Sequence, residues 1–297
     1  MGDPRHYAVD SPYLVPFDGS FRVADAPTAP PKGEGGKKRK KENREALERT
    51  VAAISERQRP LHAHDSHAIL LVFQAMDAAG KDGTIRAVMS GVDPAGCQVS
   101  SFRAPNAEEL DHDFLWRVIK HLPERGRIGI FNRSHYEEVL VVRVHPKFLD
   151  GQRIPDRPPL EALFEERYES IRDFERHLAR NGTVIVKFWL NVGRDEQRDR
   201  FLARIDEPDA NWKFNPRDVV ERRKWDAYMD AYERALNATS RPWAPWYAVP
   251  ADDKAFMRRV VAEIFLRTLD AIDPRFPAAD DESVAAMRAL REELVQS

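Results

Sequence analysis

Ala68-Ile-Leu-Leu-Val-Phe73-Gln74-Ala75-Met76-Asp77-Ala78-Ala79-Gly80-Lys81-Asp82-Gly83-Thr84 is the stretch that decides the fold. Its first six residues are a short, continuous apolar run, the pattern of a strand covered on both faces. A turn of small residues follows. Ile85, Val88 and Met89 then mark the buried stripe of a helix. Strand, loop and helix in that order put the loop where backbone N–H groups converge and the helix dipole favours an anion.

The alternation continues on both sides. Residues 97–102 (CQVSSF) read as a strand, and 106–122 as a helix with Leu110, Phe114, Val118 and Leu122 in phase. Residues 127–132 (RIGIFN) form a buried strand ending in polar residues, and 160–180 a strongly amphipathic helix. Residues 183–190 (TVIVKFWL) give the clearest strand of the chain. Helices follow at 194–205 and 216–236, then a short strand at 246–249 and helices at 252–269 and 283–295. The pattern predicts an α/β fold, a parallel sheet flanked by helices. In such folds ligands bind beyond the carboxyl ends of the strands, and polar residues stand there after Phe73, Phe131 and Leu190. No internal repeat is found.

Residues 1–36 are rich in Pro, Gly and Ala without a period, and predict an extended arm draped over the main domain. Residues 37–297 predict a single domain, including a helical lid around 194–236. Within it, Leu47, Val51 and Ile54 recur at helical spacing. The basic run 37–41 reads either as a contact for a polyanion or as a solvated helix start.

The totals fit this plan. A chain of 297 residues suffices for one large domain or a domain with a lid. Charged residues reach 32%, yet the formal net charge is only -2, so any polyanion site must come from local clustering. Nucleic-acid binding through bulk charge is not supported. The lone Cys97 excludes an internal disulfide and a cysteine-based zinc site. No apolar stretch approaches the roughly 20 residues that cross a membrane. No signal peptide is recognisable. A soluble, cytoplasmic protein is expected.

The usual phosphate-binding loop is G-x-x-x-x-G-K-[ST] between a strand and a helix. Gly80 and Lys81 match it, whereas Ala75 replaces the first glycine and Asp82 stands where Ser or Thr would meet magnesium. Glycine at 80 permits close backbone approach, and Lys81 supplies a mobile charge for bridging phosphates. Small residues at 75, 78, 79 and 80 keep side chains out of the anion's way. Asp77 is the anomaly, because a carboxylate in an anion cradle repels phosphate. It makes sense if it holds Mg²⁺ or orients an attacking phosphate.

The second constellation is Asn132-Arg133-Ser134-His135-Tyr136-Glu137-Glu138. The second strand of such folds usually ends in an acidic residue that supports the metal. Here Asn132 stands first and the acids come later. Arg133 has the fork that binds phosphate oxygens in pairs, while His135 reads as a satisfied loop residue. The third constellation follows residue 190. Arg194 and Arg198, one turn apart, share a helix face and either reach over a bound phosphate as lid cations or pair with Asp195 and Asp199.

Together FQAMDAAGKDGTIR, IGIFNRSHYEEVLVVRVH, KFWLNVGRDEQRDRFLARIDEPDANWKF, WDAYMDAYERAL and APWYAVPADDK resemble the second polyphosphate kinase family, in that family's order. The resemblance implies a P-loop-kinase-like fold with a helical lid over a polyphosphate channel. It also implies transfer of a terminal phosphoryl group between polyphosphate and a nucleotide with Mg²⁺ or Mn²⁺. Inorganic polyphosphate and adenine nucleotides are then the partners, and a homodimer or homotetramer the expected assembly. The candidate catalytic residues are Asp77, Lys81, Asn132, Arg133 and Glu137, with Asp77 and Asn132 at the metal. Phosphate and polyphosphate fall to Ala78, Ala79, Gly80, Lys81, Asp82, Gly83, Thr84, Arg86, Arg194 and Arg198. The nucleotide falls to Arg133, Ser134, Glu137 and Arg143. Many members have Asp at 132 and Trp at 135. The departure here resembles the subgroup acting on both AMP and ADP. Two rivals remain. An ATP-dependent nucleoside monophosphate kinase usually keeps the first glycine and the Ser or Thr, so Ala75 and Asp82 speak against it. A polyanion-binding module without chemistry has no need of Asp77.

Overall fold

Seven consecutive residues, Ala68–Gln74, are buried on both sides and form the central strand β1 of the computed structural model, which describes residues 7–297. Five strands make one sheet in the order β2-β3-β1-β4-β5: β2 is Cys97–Ser101, β3 Ile128–Asn132, β4 Thr183–Asn191 and β5 Trp246–Pro250. Every strand pair is parallel, as the alternation with helices requires. The longer helices are α1 Lys40–His64, α2 Lys81–Val88, α6 Leu160–Arg180 and α7 Arg194–Asp206. After these come α8 Pro216–Arg222, α9 Trp225–Thr239, α10 Lys254–Ile272 and α11 Asp281–Gln296. Among the described residues no helix is long and apolar enough to cross a membrane.

β1 lies between β3 and β4, and the chain crosses from the β2–β3 side to the β4–β5 side, so the strand order reverses at β1. Phe73 is in register with Asn132 and Phe188, and Gln74 with Trp189. The loops after β1, β3 and β4 therefore emerge side by side at the crevice where such sheets bind ligands. The floor beneath is rigid: Phe73 stacks on Phe188 with centroids 5.1 Å apart, and both are fully buried. Each such side chain contributes about 1.5–3 kcal/mol on leaving water. Helix α10 packs on α1, on α2 and on β4 and β5, while α6 packs on β4 and α9.

The segment read as one helix over 106–122 is corrected: it breaks into two single turns, α3 Ala107–Leu110 and α4 Trp116–Ile119. The break has a local cause. Asn106 and Glu109 form a reciprocal capping box, and the Asp113 carboxylate accepts from Leu115 N, so a second helix start is set inside the first. The stretch over 216–236 likewise divides between α8 and α9. A further single turn, α5 Val141–Val144, follows β3. Helix α1 opens at Lys40, and Lys41 is almost wholly exposed, its nearest acid being Glu45 at 3.7 Å.

The described part of the arm pairs with the free edge of β5. Val15 N donates to Trp246 O at 2.9 Å and Ala248 N to Tyr13 O at 2.8 Å, an antiparallel bridge on an otherwise parallel sheet. The arm then crosses the carboxyl ends of β4 and β5. The Asn191 amide donates to Ala26 O and Pro27 O, and Asp252 N to Thr28 O. Residues 1–6 lie outside the described residues.

Candidate active site

Residues 75–80 turn the chain from β1 into α2, and the carbonyls of all six face a protein donor. Ala75 O accepts from Lys81 Nζ (2.8 Å), Met76 O from Ala79 N (3.3 Å), and Asp77 O from Gln197 Nε2 (2.9 Å). Ala78 O and Ala79 O both accept from one nitrogen of Arg200 (3.0 and 2.8 Å), and Gly80 O from Thr84 N and its hydroxyl. The first N–H groups of a helix have no intrahelical acceptor. With the loop's carbonyls turned away, those N–H groups and the dipole of α2 define the anion cradle. The geometry demands left-handed backbone at Ala78 (φ 63°) and Gly80 (φ 104°). A Cβ at Gly80 would also crowd the Met257 methyl at 3.4 Å.

Asp77, Lys81, Arg133 and Glu137 come together over this cradle. Arg133 donates to Asp77 Oδ1 at 2.9 Å and to Glu137 Oε2 at 3.3 Å. Its backbone is left-handed (φ 64°), and its N–H donates back to Phe73 O, which pins the end of β3 to β1. A non-glycine residue held in that region stores about 1–3 kcal/mol. Glu137, and after it Asp77, raises the guanidinium's pKa despite burial. Lys81 moves the opposite way: burial lowers its pKa, Arg133 adds to the fall, and the carboxylates of Asp77, Glu137 and Asp82 oppose it. Gln74, with its amide turned to suit its neighbours, donates to Glu137 Oε1 at 2.9 Å and accepts from Ser134 N. Ser134 is thus buried support beneath Glu137. The Asn132 amide donates to Asp82 Oδ1 at 2.6 Å, so the end of β3 meets the first turn of α2, and the Asn132 side-chain oxygen could serve as a ligand.

Other expected residues lie apart from this cluster. Arg198 is exposed and pairs with Asp195 and Asp199. Arg143 is engaged by Glu161 at 2.7 Å and lies over the Phe164 ring. Arg194 lines a cavity of about 470 Å³ with Thr28, Asn191, Gly193, Trp225 and Glu233, between the arm, the end of β4 and α9. His135 is buried, its ring nitrogens without a hydrogen bond and Nε2 3.6 Å from Glu175.

The sequence reading missed five contributors. Gln197 and Arg200 hold the loop carbonyls from α7. Phe201, almost fully buried, marks the inward face of that helix, and Gln197 lies one turn before it. Asp218 faces the cluster from α8. Burial, and then the Asp77 charge, raise its carboxyl, while Arg204 at 3.5 Å opposes. Lys254 and Arg258 stand one turn apart on α10. A Cβ on Gly83 would lie 2.8 Å from the Arg258 guanidinium, which therefore lies against the first turn of α2. Burial lowers the pKa of Arg258, and Arg44, Arg86 and Arg200 around it lower it further. Lys254 is likewise depressed by burial and by Arg200, with Glu196 opposing. Arg86, named from the sequence, belongs to this second group of cations.

Divalent metal fits the donor set. Among the described residues no three His, Cys, Asp or Glu side chains group as a cage. One or two carboxylates completed by phosphate oxygens and water is how Mg²⁺ is usually held at phosphoryl-transfer sites. Asp77, with 28% of its side chain exposed, and Asn132 offer that kind of site.

A family profile for polyphosphate kinase 2 matches residues 37–277. The ADP-polyphosphate phosphotransferase of Rhodopseudomonas palustris is 52% identical over 253 residues, 85% of this chain and 88% of that protein. The AMP/ADP-polyphosphate phosphotransferase of Meiothermus ruber is 43% identical over 272 residues, 91% of this chain and 97% of that one. The crystal structure of polyphosphate kinase 2 from Arthrobacter aurescens TC1 superposes with a TM-score of 0.84 at 38% identity, covering 100% of this chain and 98% of that one.

Proposed function

The chain belongs to the polyphosphate kinase 2 family, and from that premise we propose that it moves a terminal phosphoryl group from inorganic polyphosphate to AMP and to ADP, reversibly and with Mg²⁺ or Mn²⁺. The observation that carries the donor is the cluster of cations beside α2: Lys254 and Arg258 on α10, with Arg44 and Arg86 near Arg258. A linear polyanion has charge to match along its whole length; an isolated phosphate does not. The acceptor's phosphate is assigned to Arg133, whose neighbours Glu137 and Asp77 hold its fork in place.

Both reactants are anions, so the problem is to bring like charges into line. A terminal phosphate oxygen of the nucleotide attacks the end phosphorus of polyphosphate. The new P–O bond forms opposite the breaking anhydride bond, whose electron pair leaves with the shortened chain. Lys81 and Arg133 neutralise charge spreading over the transferred oxygens. Phosphate oxygens are already ionised near neutral pH, so no strong base is needed. Asp77 and Asn132 would hold a divalent ion, which would supply further neutralisation of phosphate charge.

The test is ATP formation by purified protein given polyphosphate and Mg²⁺, with AMP or ADP supplied separately. ATP from both supports the whole reading. ATP from ADP alone keeps the donor and removes AMP. A folded protein that binds polyphosphate without turnover overturns the reading in favour of a binding module. A narrower prediction concerns the cations. Arg258→Ala is expected to raise KM for polyphosphate about 10-fold, as loss of one charge-assisted contact implies. It should also flatten the salt dependence of that KM while leaving KM for the nucleotide unchanged. Steady-state kinetics at two ionic strengths checks both.

A further inference from the structure

Arg200, on α7, joins the phosphate loop to the turn that leads into α10. We infer that it is a positioning residue for phosphoryl transfer, setting the peptide planes of the loop so that its N–H groups face the donor phosphates. This rests on the reading of the loop as the polyphosphate cradle.

A guanidinium has five N–H donors in a fixed plane, and here each finds an acceptor. One terminal nitrogen donates to Ala78 O (3.0 Å) and Ala79 O (2.8 Å). The other donates to Ala251 O (2.6 Å) and Asp252 O (3.2 Å), and Nε to Glu196 Oε1 (2.7 Å). The side chain is 93% buried, so water does not compete for these carbonyls. Four of the five partners are backbone, which an ordinary surface ion pair does not provide. Two successive carbonyls on one nitrogen are possible because Ala78 and Gly80 are both left-handed. For Ala78 that conformation is unfavourable, and Arg200 holds it. A peptide's N–H points opposite to its carbonyl. Turning the carbonyl of 79 onto Arg200 therefore turns the Gly80 N–H to the other side of the loop, while the Ala79 N–H, opposite the carbonyl of 78, closes the turn on Met76 O. Gln197 does the same for the Asp77 carbonyl, and Arg222 in turn fixes Gln197 Oε1 at 2.9 Å. The first two turns of α7 thus act as a jig for the cradle.

Lysine preserves the charge but has only three donors on a point, so it leaves at least two of these acceptors unpaired. Arg200→Lys is expected to raise KM for polyphosphate at least about 10-fold and lower kcat about 100-fold, with KM for the nucleotide within about 2-fold. Glu196→Gln removes only the lateral carboxylate and should leave both constants within about 2-fold of the parent. A purely structural role predicts something else: a lower melting temperature with unchanged KM values in the folded fraction, and that result overturns the inference. So does parental kinetics in Arg200→Lys. If Arg200→Lys does not fold, Gln197→Met, which frees only the Asp77 carbonyl, must show the same polyphosphate-selective rise of about 3-fold or more; parental KM there overturns it. Absence of polyphosphate-dependent turnover in the parent chain, measured first, would instead sink the cradle reading itself.

Discussion

Asp77→Asn is expected to lower kcat for polyphosphate-dependent ATP formation by about 1,000-fold or more while KM for polyphosphate stays level or falls. The two halves of that expectation have separate causes. In the resting site Asp77 accepts from Arg133 at 2.9 Å, and its charge lies within reach of Lys81 and Asp218. An asparagine oxygen can accept the same hydrogen bond, so the loop and Arg133 should keep their places. What disappears is one negative charge inside an anion cradle. Ground-state repulsion of polyphosphate then weakens, and binding has no reason to suffer. The loss appears in kcat because the carboxylate is assigned to metal and charge alignment during transfer, where single electrostatic contributions commonly amount to about 100- to 1,000-fold. Such a split, lower kcat without higher KM, is the mark of an interaction made in the transition state. Initial rates at saturating Mg²⁺, with circular dichroism to verify the fold, decide it. A loss of less than about 10-fold would reduce Asp77 to a spacer for Arg133.

The sheet was legible because its inner strands have no polar face. β1 and β4 read as continuous apolar runs, and parallel strands buried on both sides leave little else to read. The 106–122 segment was misjudged because Leu110, Phe114, Val118 and Leu122 keep helical phase across a break that two cap residues impose. Side-chain capping by Asn106 and Asp113 competes with a period and wins locally. At the site, residues near one strand end were readable, since Asp77 and Lys81 lie in the junction between β1 and α2 and Arg133 directly follows β3. Arg200, Lys254 and Arg258 were not, because their task depends on contacts across 50 to 180 positions of sequence. In a chain this rich in charge, an arginine that binds four backbone carbonyls looks like its solvated neighbour Arg198. The lysine inside β4 was read as part of a strand with no hint of its partner. Glu175 sits on α6 with an acid's usual appearance of facing water, and only the fold buries the two together.

That partnership carries the largest stability effect expected in the molecule. Lys187 and Glu175 are fully buried, and their side chains meet at 2.6 Å. The ammonium also donates to the Tyr136 hydroxyl (2.8 Å) and to Thr239 O (2.9 Å), so its three protons have three acceptors. Tyr136 in turn donates to Glu175 Oε1 at 2.8 Å, and it belongs to the segment that presents Arg133 and Glu137. Burial pulls Lys187 down to about 8, against the pull of Glu175. Burial also pushes the Glu175 carboxyl up, but Lys187 and His135 outweigh it and hold the group below its usual range. Lys187→Met keeps the volume and strands the carboxylate, which should cost about 3–5 kcal/mol at pH 8. The pH dependence should change sign as well. In the parent, a Glu175 pKa below its unfolded value gives stability that is present above the unfolded pKa and lost as pH falls through the folded one. In Lys187→Met burial acts unopposed by the ammonium, and the folded pKa rises above the unfolded value of about 4.3. The folded state then keeps a proton that the unfolded chain releases, so stability drains as pH rises through that window and returns toward pH 5. Replacing both partners, as Lys187→Met with Glu175→Leu, should recover most of the loss, since a buried pair exchanged for apolar volume is often close to neutral. Urea unfolding of the parent, single and double variants at pH 5.5 and 8 reads all of this. A single variant within about 1 kcal/mol of the parent, with the same pH slope, would mean that the pair is not what holds the Tyr136 segment behind the site.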